Sequence, residues 1–257
     1  MKLKTIIAVT IFSLTFFMAC KKSSEEFVEQ YPVSTFFNIK IGDSAFYRLD
    51  SLEFTVELQD PNILNSYLVK EIVSDTLRDN LNQKVWQITK YITKDTSGNG
   101  FWRYWGEYYI TIKENQVDIT ENNLRFIKLK APVRENFSWK GNSFLPGEPY
   151  PQYDFSIDNN MSSWDYTYLS VGKNEPAANG GSTYTNVCTV EQINQSSNIN
   201  LVANNIINRD GFASREKSVE KYAPDTGLIY RELTLWEFQP TKGKIIGFIS
   251  KMWRVNK

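Results

Sequence analysis

Histidine is absent from this chain. That absence removes Ser-His-Asp and Cys-His catalysis, histidine-containing zinc sites and the commonest acid–base group at neutral pH. Cysteine is nearly absent, with two in the whole chain, Cys20 and Cys188. With Cys20 at the end of an apolar leader, Cys188 is left without a partner and no intramolecular disulfide is expected. Charge of either sign is not in excess: 29 basic residues face 29 acidic ones. A chain so balanced carries no electrostatic footprint for nucleic acid. No long amphipathic helix and no solenoid or propeller repeat stands out.

The first twenty residues are of a different kind. Lys2 and Lys4 precede the apolar run "TIIAVTIFSLTFFMA", which ends at Cys20 and passes into "KKSSEEFVEQ". A bilayer-spanning helix needs about 20 predominantly apolar residues, and this run is shorter and carries threonines and a serine. A positive start, a short apolar core and the small Ala19 before the boundary describe a secretory leader. Residues 1–19 are therefore read as a signal peptide, 20–35 as a polar tether and 36–257 as one domain.

Hydrophobic residues make up 41% of the chain, enough for a packed core, so general disorder is excluded. The apolar segments favour Val, Ile, Tyr, Phe, Trp and Thr, the residues suited to strands. In "SLEFTVEL" Leu52, Phe54, Val56 and Leu58 alternate with Glu53, Thr55 and Glu57, as in a half-buried antiparallel strand. Further strands are expected at 66–74, 84–94, 101–113, 124–130, 186–193, 215–222, 228–238 and 244–255. "DTSGNG" (95–100) and "APDTG" (223–227) supply turn residues between them. Residues 143–182 read as long loops, with one short strand or helical turn around "SSWDYTYLSV". The asparagine-rich stretch near 200 reads as a long hairpin excursion or a short helix. The expected fold is all-β and mainly antiparallel, a single barrel-like or sandwich meander with long loops and little helix.

The leader ending on Cys20 resembles a bacterial lipoprotein signal, which implies that Cys20 becomes the lipidated first residue of the mature chain. Bacterial lipoproteins carry several acyl chains, and more than one chain is what stable anchoring requires. Lys21 in place of aspartate does not suggest retention at the inner membrane, and Glu25 and Glu26 resemble surface-export signals of Bacteroidetes lipoproteins. Three further blocks resemble a family of uncharacterised Bacteroidetes outer-membrane lipoproteins. They are "GDSAFYRLDS" (42–51), a block of Lys128, Leu129, Pro132, Val133, Trp139, Gly141 and Asn142, and a hairpin of Tyr222, Ala223, Gly227, Leu228, Tyr230 and Glu232. The resemblance covers most of the mature chain, with Pro224-Asp225-Thr226 replacing a simpler pair before Gly227. It implies outer-membrane association, on the cell surface or the periplasmic face, and no known activity. Physically, Gly141 and Gly227 suit positive φ and Trp139 suits packing over a sheet end.

The aromatic stretch "FWRYWGEYYITI" is the best candidate binding surface, through Trp102, Tyr104, Trp105, Tyr108 and Tyr109. Strict alternation puts Trp102, Tyr104, Tyr108 and Ile110 on one face and Phe101, Arg103, Trp105, Glu107 and Tyr109 on the other. Exposed rings of this kind stack on sugars or anchor protein partners. In "YRELTLWEF" Tyr230, Glu232, Thr234 and Trp236 share a side, and Arg231 is placed to pair with Glu237. Glu107, Asp154, Glu232 and Glu237 are the carboxylates from which a glycosidase pair would have to come, and no spacing selects two of them. No run matches a calcium loop, and neither a metal nor another cofactor is expected. The triplets beginning at Asp43, Asp50 and Asp75 resemble acceptor sites for Bacteroidetes O-glycosylation. Cys188, in an alternating apolar context, is expected in the core. The expected role is non-catalytic: an outer-membrane lipoprotein that binds or assembles with a protein partner. Carriage of a lipid or other apolar ligand, and binding or cleavage of carbohydrate, are the alternatives.

Overall fold

The computed structural model describes residues 31–54, 64–153, 155, 161–178, 183–198 and 211–255. Cys20, the leader, Val56, Leu58 and Asp154 lie outside the described residues. From Tyr31 onward the chain forms one compact unit.

Alternating apolar residues drive twelve antiparallel strands into a single sheet. They are β1 (Ser44–Glu53), β2 (Asn65–Arg78), β3 (Lys84–Thr93), β4 (Arg103–Ile112), β5 (Gln116–Glu121) and β6 (Leu124–Lys130). The second half supplies β7 (Ser138–Trp139), β8 (Tyr166–Pro176), β9 (Thr183–Ser197), β10 (Ala213–Ala223), β11 (Gly227–Gln239) and β12 (Lys244–Val255). The sheet order is β6-β5-β4-β3-β2-β1-β12-β11-β10-β9-β8-β7. Every strand therefore pairs with its neighbours in sequence except β6 and β7, the two edges, and the first and last strands meet where β1 pairs β12, from Phe46 opposite Val255 to Glu53 opposite Phe248. The sheet rolls into a nearly closed, barrel-like meander. Among the described residues the only helical pieces are short 3-10 turns at Val33–Phe36, Pro151–Tyr153 and Met161–Ser163.

Inside the barrel one apolar cluster collects Tyr47, Leu49, Val69, Val73, Ile88, Ile92, Ile110, Ile119 and their neighbours. A second cluster, with Leu52, Phe54, Trp236, Phe238 and Ile249, forms from the opposite parity of β1, β11 and β12, on the outer face. Both faces are thus apolar there, which is why strands such as "LTLWEFQ" read as continuous runs. One mouth of the barrel is closed by residues 31–39. Val33 and Phe36 are fully buried, the Phe37 ring lies 5.7 Å from that of Tyr222, and the Asp225 amide donates to the Thr35 carbonyl at 2.8 Å. The barrel thus takes in residues that the sequence places in the tether.

The remaining gap in the wall lies between β6 and β7, where β7 has only two residues. It is spanned by the Ile127 amide donating to the Gly141 carbonyl at 2.8 Å and by the Trp139 indole N–H donating to the Ile127 carbonyl at 2.8 Å. The Tyr168 hydroxyl adds a bond to the Lys130 carbonyl at 2.9 Å. Trp139 is buried there, against Tyr166 and Tyr168.

Several expectations need correction. The strand expected at 51–58 begins at Ser44; Leu52 and Phe54 do share a face. β5 was not foreseen, because six residues flanked by short polar turns leave little alternation to read. β8 runs for eleven residues through a stretch read mostly as loop, held by the buried Tyr166 and Tyr168. Gly227 does have positive φ, at 80°, but Gly141 does not. Its glycine is required by close approach instead: a Cβ at Gly141 would fall 2.4 Å from the Tyr166 ring. Gly141→Ala is therefore expected to destabilise the barrel by about 1–3 kcal/mol through overpacking at the seam. Chemical denaturation checks this, and Gly147→Ala, where nothing stands within 4 Å, is the control expected to change little.

Candidate functional site

Bulges decide what the barrel wall presents to each side. A β-bulge inserts one residue that has no partner opposite and re-aims the side chains beyond it. On β4 the register jumps from Lys90 opposite Gly106 to Tyr91 opposite Tyr104, so Trp105 is the inserted residue. The same happens to Lys128 on β6, Gln192 on β9 and Ile229 on β11. Strict alternation therefore fails in the aromatic strand. Tyr108 points into the lumen, where its hydroxyl donates to Glu71 Oε2 at 2.8 Å. Tyr104 and Tyr109 stay outside, and both hydroxyls donate to Glu107, at 3.2 and 3.1 Å. Trp102 packs edge-on against Phe46, with centroids 6.1 Å apart, and Tyr104 against Tyr91 at 6.3 Å. Trp105 stands at the rim away from the plugged mouth, with Lys90 Nζ 4.5 Å from its ring centroid. The five predicted aromatics thus do not form one surface; three line the outer wall, one the rim and one the interior.

The interior holds a charged belt that the sequence reading missed. Glu220, from β10, is 1% exposed. Its Oε1 accepts from Lys128 Nζ at 2.9 Å and from Arg231 Nε at 2.7 Å. Its Oε2 accepts from Gln192 at 2.9 Å and from the Tyr222 hydroxyl at 2.7 Å. Arg231 also reaches Glu121 at 3.8 Å, and Glu121 pairs in turn with Lys90. Arg231 was expected to pair with Glu237; both have the lumenal parity of β11, with Leu233 and Leu235 between them, but they are six residues apart along the strand, and Glu220 and Glu121 engage Arg231 instead. Burial works to raise the Glu220 carboxyl, but Lys128 and Arg231, with the bonds from Lys128 and Tyr222, outweigh it and bring the pKa down to about 2. Burial likewise opposes ionisation of Glu121, and Lys90 and Arg231 outweigh it. Burial lowers Lys128 despite Glu220 beside it. Glu71 is different: burial pushes its carboxyl up, and the Tyr108 bond and nearby cations do not restore it.

The belt divides the lumen into two voids. One, of about 260 Å³, lies towards the plugged mouth and is lined by Glu71, Tyr108, Arg231 and Arg254 among others. The other, of about 70 Å³, lies under Tyr150, Met161 and Trp164 at the far end. Among the described residues, the candidate carboxylates Glu107, Glu232 and Glu237 are not gathered. Glu107 faces outward on β4. Glu232 is held on the outer face of β11 by Lys217 at 2.7 Å, five strand steps away, or about 24 Å around the wall. Glu237 is buried beside Gln239, which donates to it. Cys188 is fully buried, and burial pushes its thiol up, away from reactivity. Among the described residues no group of three acidic or cysteine side chains is placed to hold a metal.

The Glu220 pKa carries a sign. A carboxyl depressed from 4.5 to about 2 contributes stability that is complete above the unfolded-state value and is lost as pH falls through the folded one. That contribution is about 3 kcal/mol for this fully buried group. Glu220→Gln is expected to be less stable than the natural chain near neutral pH, with the gap narrowing as pH falls from about 5 towards about 2. Urea midpoints across that range check it.

The chain matches no family model and no curated protein. Among solved structures it is similar to a Bacteroides fragilis NCTC 9343 protein assigned as exported, with a YmcC-like fold: 10% identity, 84% of this chain and 94% of that one, TM-score 0.35. It is also similar to a Parabacteroides distasonis ATCC 8503 protein assigned as a lipoprotein: 12% identity, 86% of this chain and 96% of that one, TM-score 0.34. Likenesses this distant say nothing about what either chain binds.

Proposed function

We propose that this chain is a lipoprotein held in the outer membrane through Cys20, and that its barrel is a non-catalytic binding partner of an outer-membrane protein. The anchor rests on the leader, on the position of Cys20 and on the family resemblance. Docking rests on one observation: Phe101, Tyr104 and Trp105 are 88%, 54% and 43% exposed at one end of β4. Rings held on a rigid strand lose little conformational entropy on binding and are enriched at the centres of protein interfaces.

The alternatives fit less well. Sugar stacking favours a flat platform, and the outer rings meet edge to face, at 81° for Tyr91 with Tyr104 and 66° for Phe46 with Trp102. An acyl chain wants a continuous apolar tube, and the Lys128–Glu220–Arg231 belt crosses the lumen between the two voids. Carbohydrate cleavage needs two carboxylates roughly 5–9.5 Å apart, and Glu107, Glu232 and Glu237 lie apart on different strands or faces.

Cross-linking in intact membranes, followed by purification in detergent, tests the docking. The natural chain is expected to recover a membrane-protein partner. The double variant Phe101→Ala, Tyr104→Ala is expected to lose it while keeping its melting temperature, and Cys20→Ser to leave the membrane fraction. Recovery of the natural, lipidated chain as a free monomer alone contradicts the reading.

A further inference from the structure

The void beside the plugged mouth has a chemistry of its own, apart from the outer aromatic face. Val73, Ile88, Ile110, Ile119 and Leu228 give it apolar walls. Two polar groups stand among them without a full set of partners. Glu71 is 7% exposed; its Oε2 accepts from Tyr108, while its Oε1 has no hydrogen-bond partner among the described residues. Arg254 donates through Nη1 to the Thr226 carbonyl at 2.7 Å and lies 6.0 Å from the Tyr47 ring centroid, yet no carboxylate of the described residues lies within ion-pair distance of it. The other lumenal cations are all paired: Lys90 with Glu121, Lys128 with Glu220, Arg231 with both.

Register places these groups side by side on the inner wall. Tyr47 on β1 is directly opposite Arg254 on β12, and Glu71 on β2 is opposite Ala45, two residues along β1 from Tyr47. Glu71 and Arg254 are thus two strands apart and offset by two residues, about 12 Å apart along the wall. The cavity reaches solvent between the exposed Asp43 and Asp225, which also line it. Both rim carboxylates are engaged locally, Asp43 by the Lys40 amide and Asp225 by the Asn38 side chain.

We propose that this cavity is a binding site for a small organic carboxylate, with the ligand's carboxylate on the Arg254 guanidinium, its apolar body against the β2–β5 wall and Glu71 as the second polar contact. A guanidinium with free donors forms charge-assisted, fork-like bonds to a carboxylate, and does so most strongly where water is excluded. Burial raises the Glu71 carboxyl above its ordinary value, which weakens its repulsion of an incoming anion. Size narrows the class further. A cavity of about 150 Å³ accommodates benzene, so about 260 Å³ takes a single ring or short branched chain with its carboxylate.

Isothermal titration of the mature chain tests this with phenylacetate, 3-phenylpropionate and 4-methylvalerate. Phenethylamine and phenylacetamide serve as the cationic and neutral probes of similar shape. At least one carboxylate is expected to bind with one-to-one stoichiometry and to raise the melting temperature. Arg254→Gln is expected to weaken it about tenfold or more. Val73→Phe, which fills the void and leaves Arg254 in place, is expected to abolish binding, and circular dichroism checks that both variants fold. Three outcomes overturn the proposal: no carboxylate binding up to about 10 mM, equal binding by folded Arg254→Gln, or tighter binding of the amine than of the acid. Because the site is lumenal, its failure leaves docking on the outer face of β4 standing, and loss of that docking leaves the site standing.

Discussion

Glu220 accepts hydrogen bonds from four side chains on four different strands, in the middle of a barrel wider than its apolar side chains can fill. Eight strands enclose a space that side chains just occupy, and larger barrels are left with a lumen to fill or brace. Here the brace is ionic. Lys128 reaches Glu220 from β6, Gln192 from β9, Tyr222 from β10 itself and Arg231 from β11. The arrangement also answers a weakness in the wall. β6 borders the seam, where the two-residue β7 leaves few ladder bonds, and the Lys128–Glu220 pair ties β6 across the interior to the far side of that seam. Buried ion pairs seldom add net stability relative to apolar packing, but removing one partner strands a charge and is costly. The belt is therefore best understood as fixing which way the barrel closes.

The strands themselves were legible. Alternation located most of them, and the β10–β11 hairpin was visible in "APDTG" with its proline and glycine. Parity inside strands was not legible wherever a bulge intervened. Trp105, Lys128, Gln192 and Ile229 are each an inserted residue, and each overturns the alternation that places its neighbours. A bulge leaves little mark on sequence, because it is selected by pairing with a strand distant in the chain. A weaker signal was present. Glu71 lies between Val69 and Val73, and Lys90 between Ile88 and Ile92, so both charges occupy the apolar parity of their strands. Charges in that parity on several strands point to a lumen with its own electrostatics rather than to an all-hydrocarbon core.

Two surfaces with different chemistry follow from one wall. Outward, β3 and β4 carry rings that the barrel does not cover. Inward, the belt separates a small void from a larger one, and at the larger one Arg254 and Glu71 stand outside the network of Lys90, Glu121, Lys128, Glu220 and Arg231. The plug of residues 31–39 borders that larger void, through Phe37 and Asn38, so the segment that precedes β1 also closes the mouth beside the cavity. Rigidity of the belt serves both surfaces, since it holds the strands that present the rings and the strands that line the void.

A double-mutant cycle between Lys128 and Glu220 is the most direct test of that dependence, measured as unfolding free energies at neutral pH for the natural chain, Lys128→Met, Glu220→Gln and the double variant. Each single change leaves a buried charged group short of a partner, so coupling of about 2–3 kcal/mol or more is expected, with the double variant more stable than the sum of the singles implies. Additivity to within about 0.5 kcal/mol contradicts the account, because it means that the pair across the lumen does not hold the barrel closed.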